Sequence, residues 1–191
     1  MRGVRAGAAA IACAALVVGG CHCSSSPDPT ASPVRAAASA RHGAPVDVTF
    51  LETIVFQHQQ ALELAAMVPE QTSNTALVKL AAQIAAQQFR EQQGCAAQLL
   101  QWETPAAQHP AADTIPGMAD AATIDRLRAL HGPEFDTAWL QVMLAHHRGA
   151  ISLAHDEIEH GQSPEAISIA QSLIPLQQTQ IDQINELLGV R

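Results

Sequence analysis

The sequence predicts an all-α protein, a four-helix bundle made of two tandem αα-hairpins that one long crossover connects. Four segments repeat their apolar residues every three or four positions, as amphipathic helices do. The segment FLETIVFQHQQALELA, which begins at Phe50, returns 89 positions later as WLQVMLAHHRGAISLA, which begins at Trp139. Tyrosine is absent and aromatic residues make up 3% of the chain, a composition that disfavours a β-sandwich.

The first hairpin is expected to contain helices at about 47–68 and 73–102. Asp47 suits the N-cap position of the first of these helices, and Pro69 is a stop signal at its end. The link between the two helices is short. A short link makes neighbouring helices run antiparallel, so this pair is predicted to form an αα-hairpin.

The second hairpin is expected to contain helices at about 133–160 and 163–188. Ser163 suits the N-cap of the second of these helices. Pro175 lies inside it, where a proline removes a backbone hydrogen bond and clashes with the preceding turn. We therefore expect a kink, or a short break near Ser172.

The crossover at 103–132 connects the hairpins 47–102 and 133–188. It is rich in proline and alanine, and a short helix is predicted within it at 121–130. Two hairpins with one long crossover have the connectivity of ferritin-like bundles. The folded domain, residues 46–191, is therefore predicted to be a ferritin-like bundle.

The N-terminal segment predicts export and a lipid anchor. Two arginines precede an apolar stretch that is too short to span a bilayer, as in a signal peptide. The stretch ends in Val-Gly-Gly-Cys, which resembles the lipobox of bacterial lipoproteins. That resemblance implies cleavage after residue 20, a lipid on Cys21 and attachment to the extracytoplasmic face of the cell membrane. The alternative is an ordinary secretory signal that is cleaved elsewhere. Residues 21–45, rich in Ser, Pro and Ala, are expected to be a flexible tether.

Charge and cysteine content exclude several classes of protein. The net charge of −8 argues against binding to nucleic acid or to anionic lipid headgroups.

No nucleotide-binding glycine loop or nucleophile triad is evident, so no catalytic residue is predicted and the chain is not expected to be an enzyme. Cys13 lies in the signal segment and Cys21 in the lipobox. Cys23 and Cys95 are too few for a disulfide framework, and Cys95 is interpreted as a small buried hydrophobe.

Each predicted helix carries a polar residue near its midpoint: His58, Gln92, His147 and Gln177. Antiparallel helices of similar length bring their midpoints to one level. We therefore expect these residues to meet in a central layer with pseudo-two-fold symmetry. One interpretation is a hydrogen-bonded layer that only fixes the packing of the helices, in a non-enzymatic structural or interaction module.

The other interpretation is a metal site built on His58 and His147. Met143 precedes His147 by about one helical turn and shares its face, while His146 flanks the apolar stripe. Two imidazoles and a thioether suit copper, above all Cu(I), better than Mg²⁺ or Ca²⁺. Copper is therefore the candidate cofactor.

The two histidine segments resemble the bacterial family known as the domain of unknown function 305 (DUF305), which lies near the ferritin-like fold. The second copy carries the hallmark residues Trp139-Leu140, Met143-Leu144, His146-His147 and Gly149-Ala150. The first copy matches more loosely, with Gln57 where a first histidine is usual. Cys95 and Gln180 occupy places where the family often has glutamate. The resemblance implies a link to copper, because some similar periplasmic or secreted proteins are associated with copper binding and tolerance.

A di-iron oxidase is a third, less favoured alternative. Such sites need inward-facing glutamates and paired Glu-x-x-His motifs, and none of the four predicted stripes offers an inward glutamate. Glu157 and His160 have the motif's spacing, but they lie at a helix end and have no partner motif. The charged residues 155–160 are interpreted as a solvated helix terminus.

Overall fold

The computed structural model describes residues 43–104 and 114–190, and within these ranges the regular secondary structure is entirely helical. The helices are α1 (Pro45–Gln71), α2 (Thr75–Gln101), α3 (Ala121–Ala129), α4 (Gly132–His160) and α5 (Pro164–Leu188). The all-α prediction is confirmed, and α3 is the short helix expected in the crossover. The predicted signal segment, the lipidation site Cys21 and the tether up to residue 42 lie outside the described residues.

The four long helices form a bundle of two hairpins. α1 packs along α2 and α4 along α5, while α1 also faces α4 and α2 faces α5. α3 lies against α1 and α4. A buried hydrogen bond from Trp139 Nε1 to the Leu64 carbonyl, 2.8 Å long, joins the hairpins. In the described part of the chain, no helix has the length and apolarity needed to cross a membrane.

The bundle has two apolar clusters, one on each side of its middle. The first contains the residues nearest α3, among them Leu64, Val68, Leu77, Phe135 and Trp139. The second contains the residues nearest the start of α1, among them Phe50, Ile54, Cys95, Ala154 and Leu173. Each long helix contributes residues from one of its ends to the first cluster and residues from its other end to the second cluster. The residues between them on all four helices must therefore form the middle of the bundle.

Asp47 is not the N-cap of α1. The helix begins earlier, at Pro45, a residue that the sequence assigned to the tether. Proline suits this position because its missing N–H would have no helical partner there. The Asp47 carboxylate instead accepts hydrogen bonds at the start of α5, from the backbone N–H groups of Gln162 at 2.7 Å and Ser163 at 3.1 Å.

The two prolines inside helices, Pro69 and Pro175, interrupt their helices less than the sequence predicts. α1 continues past Pro69 to Gln71, and α5 runs through Pro175 without a break. In α5 the buried residues Leu173 and Gln177 hold the chain against the bundle on both sides of Pro175. Packing on the two neighbouring turns therefore outweighs the hydrogen bond that the proline removes.

Candidate functional site

A layer of polar side chains separates the two apolar clusters. Its members form four pairs, each related by the 89-residue offset of the sequence repeat: Gln57 and His146, His58 and His147, Gln88 and Gln177, Glu91 and Gln180. We call these eight residues the polar layer. Seven of them are buried, and the side chain of Glu91 is 11% exposed. The layer lies where the sequence predicts one, at mid-height of the bundle.

His58 is held by Glu91 on the neighbouring helix α2. Its Nε2 lies 2.8 Å from Glu91 Oε2, and it donates its proton to that carboxylate. The same carboxylate accepts hydrogen bonds from Gln177 Nε2 at 3.3 Å and Gln87 Nε2 at 2.9 Å, so Glu91 is itself fixed in place. The second nitrogen of the His58 ring is Nδ1. That atom is buried without a hydrogen-bond partner.

His146 and Gln57 exchange hydrogen bonds between equivalent positions of the two hairpins. His146 Nε2 donates to the Gln57 carbonyl at 3.1 Å, and Gln57 Nε2 donates to the His146 carbonyl at 3.3 Å. Burial, and to a lesser extent the nearby rings of His147 and His58, lower the pKa of His146 to about 3. The ring is therefore neutral at physiological pH. Its Nδ1 lone pair is buried and has no hydrogen-bond partner.

His147, in contrast, uses both ring nitrogens. Nδ1 lies 2.7 Å from the Met143 carbonyl, and Nε2 lies 2.6 Å from Gln180 Oε1. Burial lowers the pKa of His147, and a neutral ring has only one N–H. Nδ1–H donates to the carbonyl, and Nε2 is satisfied when the Gln180 amide turns its NH₂ group toward the ring. A ligand could bind His147 only by breaking one of these contacts.

Gln92 does not belong to the polar layer. Its amide donates to the Val55 carbonyl at 3.2 Å and to Gln59 Oε1 at 3.3 Å, on a partly exposed side of the α1–α2 hairpin. Gln88 takes the expected place, with its Nε2 3.5 Å from Gln177 Oε1. The midpoint residue predicted for the second helix was therefore one helical turn too far along the chain. The offset that relates the first and third helices pairs Gln177 with Gln88.

Glu91 and Gln180 are the members of the polar layer that the sequence analysis missed as partners of the histidines. The prediction that no helical stripe offers an inward glutamate was wrong, because Glu91 faces His58. The repeat contained the signal: Glu91 follows His58 by 33 residues, and Gln180 follows His147 by the same distance. Cys95 lies one turn beyond Glu91 and packs in the second apolar cluster.

The crossover packs directly on α4 beside the polar layer. Gly117 has φ +78°, and a Cβ at this residue would lie 3.0 Å from the Cα of His146. On the facing helix, a Cβ at Gly149 would collide with the Pro116 carbonyl. Gln57 Nε2 also donates to that carbonyl, at 3.2 Å. The two glycines thus allow the backbone of the crossover to cover this side of His146.

The charged end of α4 is only partly a solvated terminus. His155, Asp156, Glu159 and His160 are exposed, as the sequence predicts. Glu157, however, is buried. This side of the helix end faces the start of α1, a contact that the local sequence does not reveal.

The chemistry of the polar layer is that of buried imidazoles. Within residues 43–104 and 114–190, no three His, Cys, Asp or Glu side chains form a cluster that could hold a metal ion. The predicted metal-binding residues His58, His146, His147 and Met143 are all fully buried. Of the three histidines, His58 and His146 have an unpartnered Nδ1. Two imidazole ligands suit a soft ion of low coordination number, such as Cu(I), better than a hard cation.

The fold and the polar layer define a class of protein: a duplicated helical hairpin with buried histidines at the centre of its bundle. The chain belongs to the DUF305 family, because the profile of the family, described as domain of unknown function (DUF305), matches residues 47–188. The family resemblance stated from the sequence is therefore confirmed. A search of curated proteins found no match.

Solved structures of three related proteins share the fold. A DUF305 fragment from Deinococcus radiodurans is 25% identical with a TM-score of 0.73, over 78% of this chain and 98% of that one. A DUF305 protein from Streptomyces coelicolor, classed as secreted, is 27% identical with a TM-score of 0.70, over 75% and 91%. CopM in its Cu(I)-bound form is 26% identical with a TM-score of 0.62, over 73% and 93%. CopM has also been solved in Cu(II)-bound and Ag-bound forms.

Proposed function

We propose that this protein binds a metal ion, copper above all, in the polar layer, and that Nδ1 of His58 and Nδ1 of His146 are its ligands. The observation that carries the proposal is a pair of buried ring nitrogens without hydrogen-bond partners. An unsatisfied polar atom in a protein interior costs about 1–3 kcal/mol. Two unpartnered ring nitrogens, in the same layer as the unpartnered side-chain oxygens of Gln57 and Gln88, call for a ligand.

The surroundings of both rings support this assignment. Metal-binding histidines usually donate their second ring N–H to a carboxylate or a backbone carbonyl, which fixes the tautomer and the ring orientation. His58 donates to the Glu91 carboxylate, and His146 donates to the Gln57 carbonyl. In this proposal His147 is a positioning residue. Met143 contributes a buried thioether one turn earlier on α4.

The comparisons support copper as the first candidate. CopM shares the fold, and it has been solved in Cu(I)-bound, Cu(II)-bound and Ag-bound forms as well as in the apo form. The N-terminal sequence supports an extracytoplasmic location, with a lipid on Cys21 as the link to the membrane. A buffer or carrier of copper at the outer face of the membrane, without enzymatic activity, is the role that these observations favour.

The second candidate is a structural module whose polar layer only holds the helices in register. The reciprocal hydrogen bonds between His146 and Gln57 favour it, because they join the two hairpins at their centre. This candidate predicts no bound metal in protein purified from metal-replete medium. It also predicts that His147→Leu is tolerated, since apolar replacement of a buried polar network is often neutral.

Competition for Cu(I) with a chromophoric chelator distinguishes the two candidates. The wild-type protein is expected to bind one Cu(I) per chain, and His146→Gln is expected to weaken binding by at least about tenfold because it removes one ligand. Glutamine is compatible with the fold at this position, because Gln57 occupies the equivalent place in the first hairpin. His155→Ala, a change at an exposed residue of α4, is the matched control. Unchanged Cu(I) affinity in folded His146→Gln would exclude the proposed site.

A further inference from the structure

The end of α4 contains a buried carboxylate that the repeated fold does not require. Glu157 is 2% exposed, although it lies in the last turn of its helix. The residue 89 positions earlier, Val68, is fully buried and packs in the first apolar cluster. One hairpin thus fills this position with an apolar side chain and the other with an acid. Packing alone therefore does not account for Glu157.

Glu157 interacts with Asp47, a fully buried residue in the first turn of α1. The position of Asp47 is fixed, because its Oδ1 accepts the two backbone hydrogen bonds at the start of α5. No other described residue forms a hydrogen bond with Oδ2 of Asp47 or with either carboxylate oxygen of Glu157. Burial above all raises the pKa of Glu157 to about 8, and a hydrogen bond with the Asp47 side chain and the charge of that carboxylate contribute to the rise. The two carboxyl groups are therefore close enough to interact directly.

No basic side chain neutralises this pair among the described residues, whose ion pairs lie elsewhere, at His58–Glu91 and Asp125–Arg128. On α5, Glu165 lies near enough to interact with Asp47; its own pKa is lowered, chiefly by its hydrogen bond with Ser163.

The neighbouring histidines of α4, His155 and His160, are exposed. A buried carboxylate is costly unless it is protonated, paired or bound to a cation.

The chain leaves room for these oxygens. At Gly161, directly after α4, an added Cβ would lie 2.6 Å from Glu157 Oε1. Gly161 and Ser163 are partly exposed, so water can reach the edge of the site. The geometry therefore combines three carboxylate oxygens that receive no hydrogen bond from any other described residue with access to solvent.

We propose that Asp47 and Glu157 form a binding site for a hard divalent cation of the Ca²⁺ type. Ca²⁺ takes carboxylate oxygens in irregular geometry and completes its shell with water, whereas Mg²⁺ demands a near-ideal octahedron. Binding releases the proton that Glu157 holds in the absence of the cation. The affinity for Ca²⁺ therefore rises with pH. This site is separate from the polar layer and does not depend on copper binding.

Thermal unfolding of the full chain in CaCl₂ or in EDTA tests the proposal. At pH 8, Ca²⁺ at ten times its Kd is expected to raise Tm by about 3–6 °C, with a smaller rise at pH 6. Glu157→Gln should abolish the rise. Asp136→Asn is the control and should retain the rise in Tm. Asp136 is the repeat counterpart of Asp47, but the counterpart of Glu157 is the apolar residue Val68, so no second acid is available beside Asp136.

A second variant keeps the test decisive if Glu157→Gln does not fold. Glu157→Val copies the residue that the first hairpin uses at the same position, and it should also lose the response to Ca²⁺. Absence of any Ca²⁺-dependent rise in Tm at pH 8 would overturn the proposal. An equal rise in either folded Glu157 variant would overturn it as well. The pair would then be two acids that share a proton.

Discussion

Replacing Gly149 with alanine tests whether direct backbone contact fixes the crossover on α4. An added Cβ at this position would lie 2.9 Å from the Cα of Gly117 and closer still to the carbonyl group of Pro116. Backbone atoms cannot rotate away from a clash as a side chain can. We therefore expect the crossover to lift away from α4 in Gly149→Ala.

The contacts that hold the crossover give the size of the effect. Gln60 exchanges two hydrogen bonds with the backbone of Ala119, both 2.8 Å long, and Gln57 Nε2 donates to the Pro116 carbonyl at 3.2 Å. Three such bonds contribute about 3 kcal/mol, and the better helix propensity of alanine offsets about 1 kcal/mol. The expected loss is about 2 kcal/mol in the free energy of unfolding, or roughly 4–8 °C in Tm.

Urea unfolding of the wild type, Gly149→Ala and Gly94→Ala measures this difference. Gly94 is exposed on α2, and a Cβ there would meet nothing within 4 Å. Gly94→Ala should therefore stabilise the protein by about 1 kcal/mol. Both variants gain the same helix propensity, so the difference between them isolates the contact with the crossover. A Gly149→Ala protein as stable as the wild type would refute the reasoning.

Two further predictions concern buried titratable groups. In buffer with a chelator, stability should fall as pH rises from about 5 to 8, because folded Glu157, with its pKa raised to about 8, keeps a proton that the unfolded chain releases near pH 4.5. Glu157→Gln should reduce this pH-dependent change in the free energy of unfolding by about 2 kcal/mol or less across the range. Urea unfolding at several pH values measures it, and the same pH dependence in wild type and variant would contradict the raised pKa of Glu157. The pKa of the Cys95 thiol is raised to about 12, mainly by burial. Cys95 should therefore resist alkylation at pH 8 in native protein and react in urea, as mass spectrometry of its peptide would show; rapid native labelling would contradict this burial.

The helices and their pairing could be predicted from the sequence because both depend on local patterns. Apolar spacing marked the four long helices, and short links paired them. The helix ends were less predictable. Asp47 has the side chain of an N-cap, yet its carboxylate bonds at Gln162 and Ser163, more than a hundred residues later in the chain. Contacts of that kind depend on tertiary packing, which overrides local preference.

The candidate site was predictable in part. The repeat placed His58 and His147 at equivalent positions, and both are fully buried. The position of Gln92 was wrong because a shift of one helical turn preserves an amphipathic pattern while exchanging one inward residue for another. Which ring nitrogen remains free on His58 and His146 depends on their partners, the Glu91 carboxylate and the Gln57 carbonyl, and single-helix patterns do not contain that information.

The reciprocal contacts in the polar layer have a consequence for how such a site can evolve. Gln57 touches its own counterpart, His146, and Gln88 touches Gln177, so each hairpin meets the other as one subunit of a two-fold dimer meets its mate. Two separate copies would have to place the same residue at both positions. Fusion into one chain removes that restriction. In a fused chain, a histidine in one hairpin can pack against a glutamine at the equivalent position of the other. An asymmetric binding site can then evolve within a fold that keeps its two-fold symmetry.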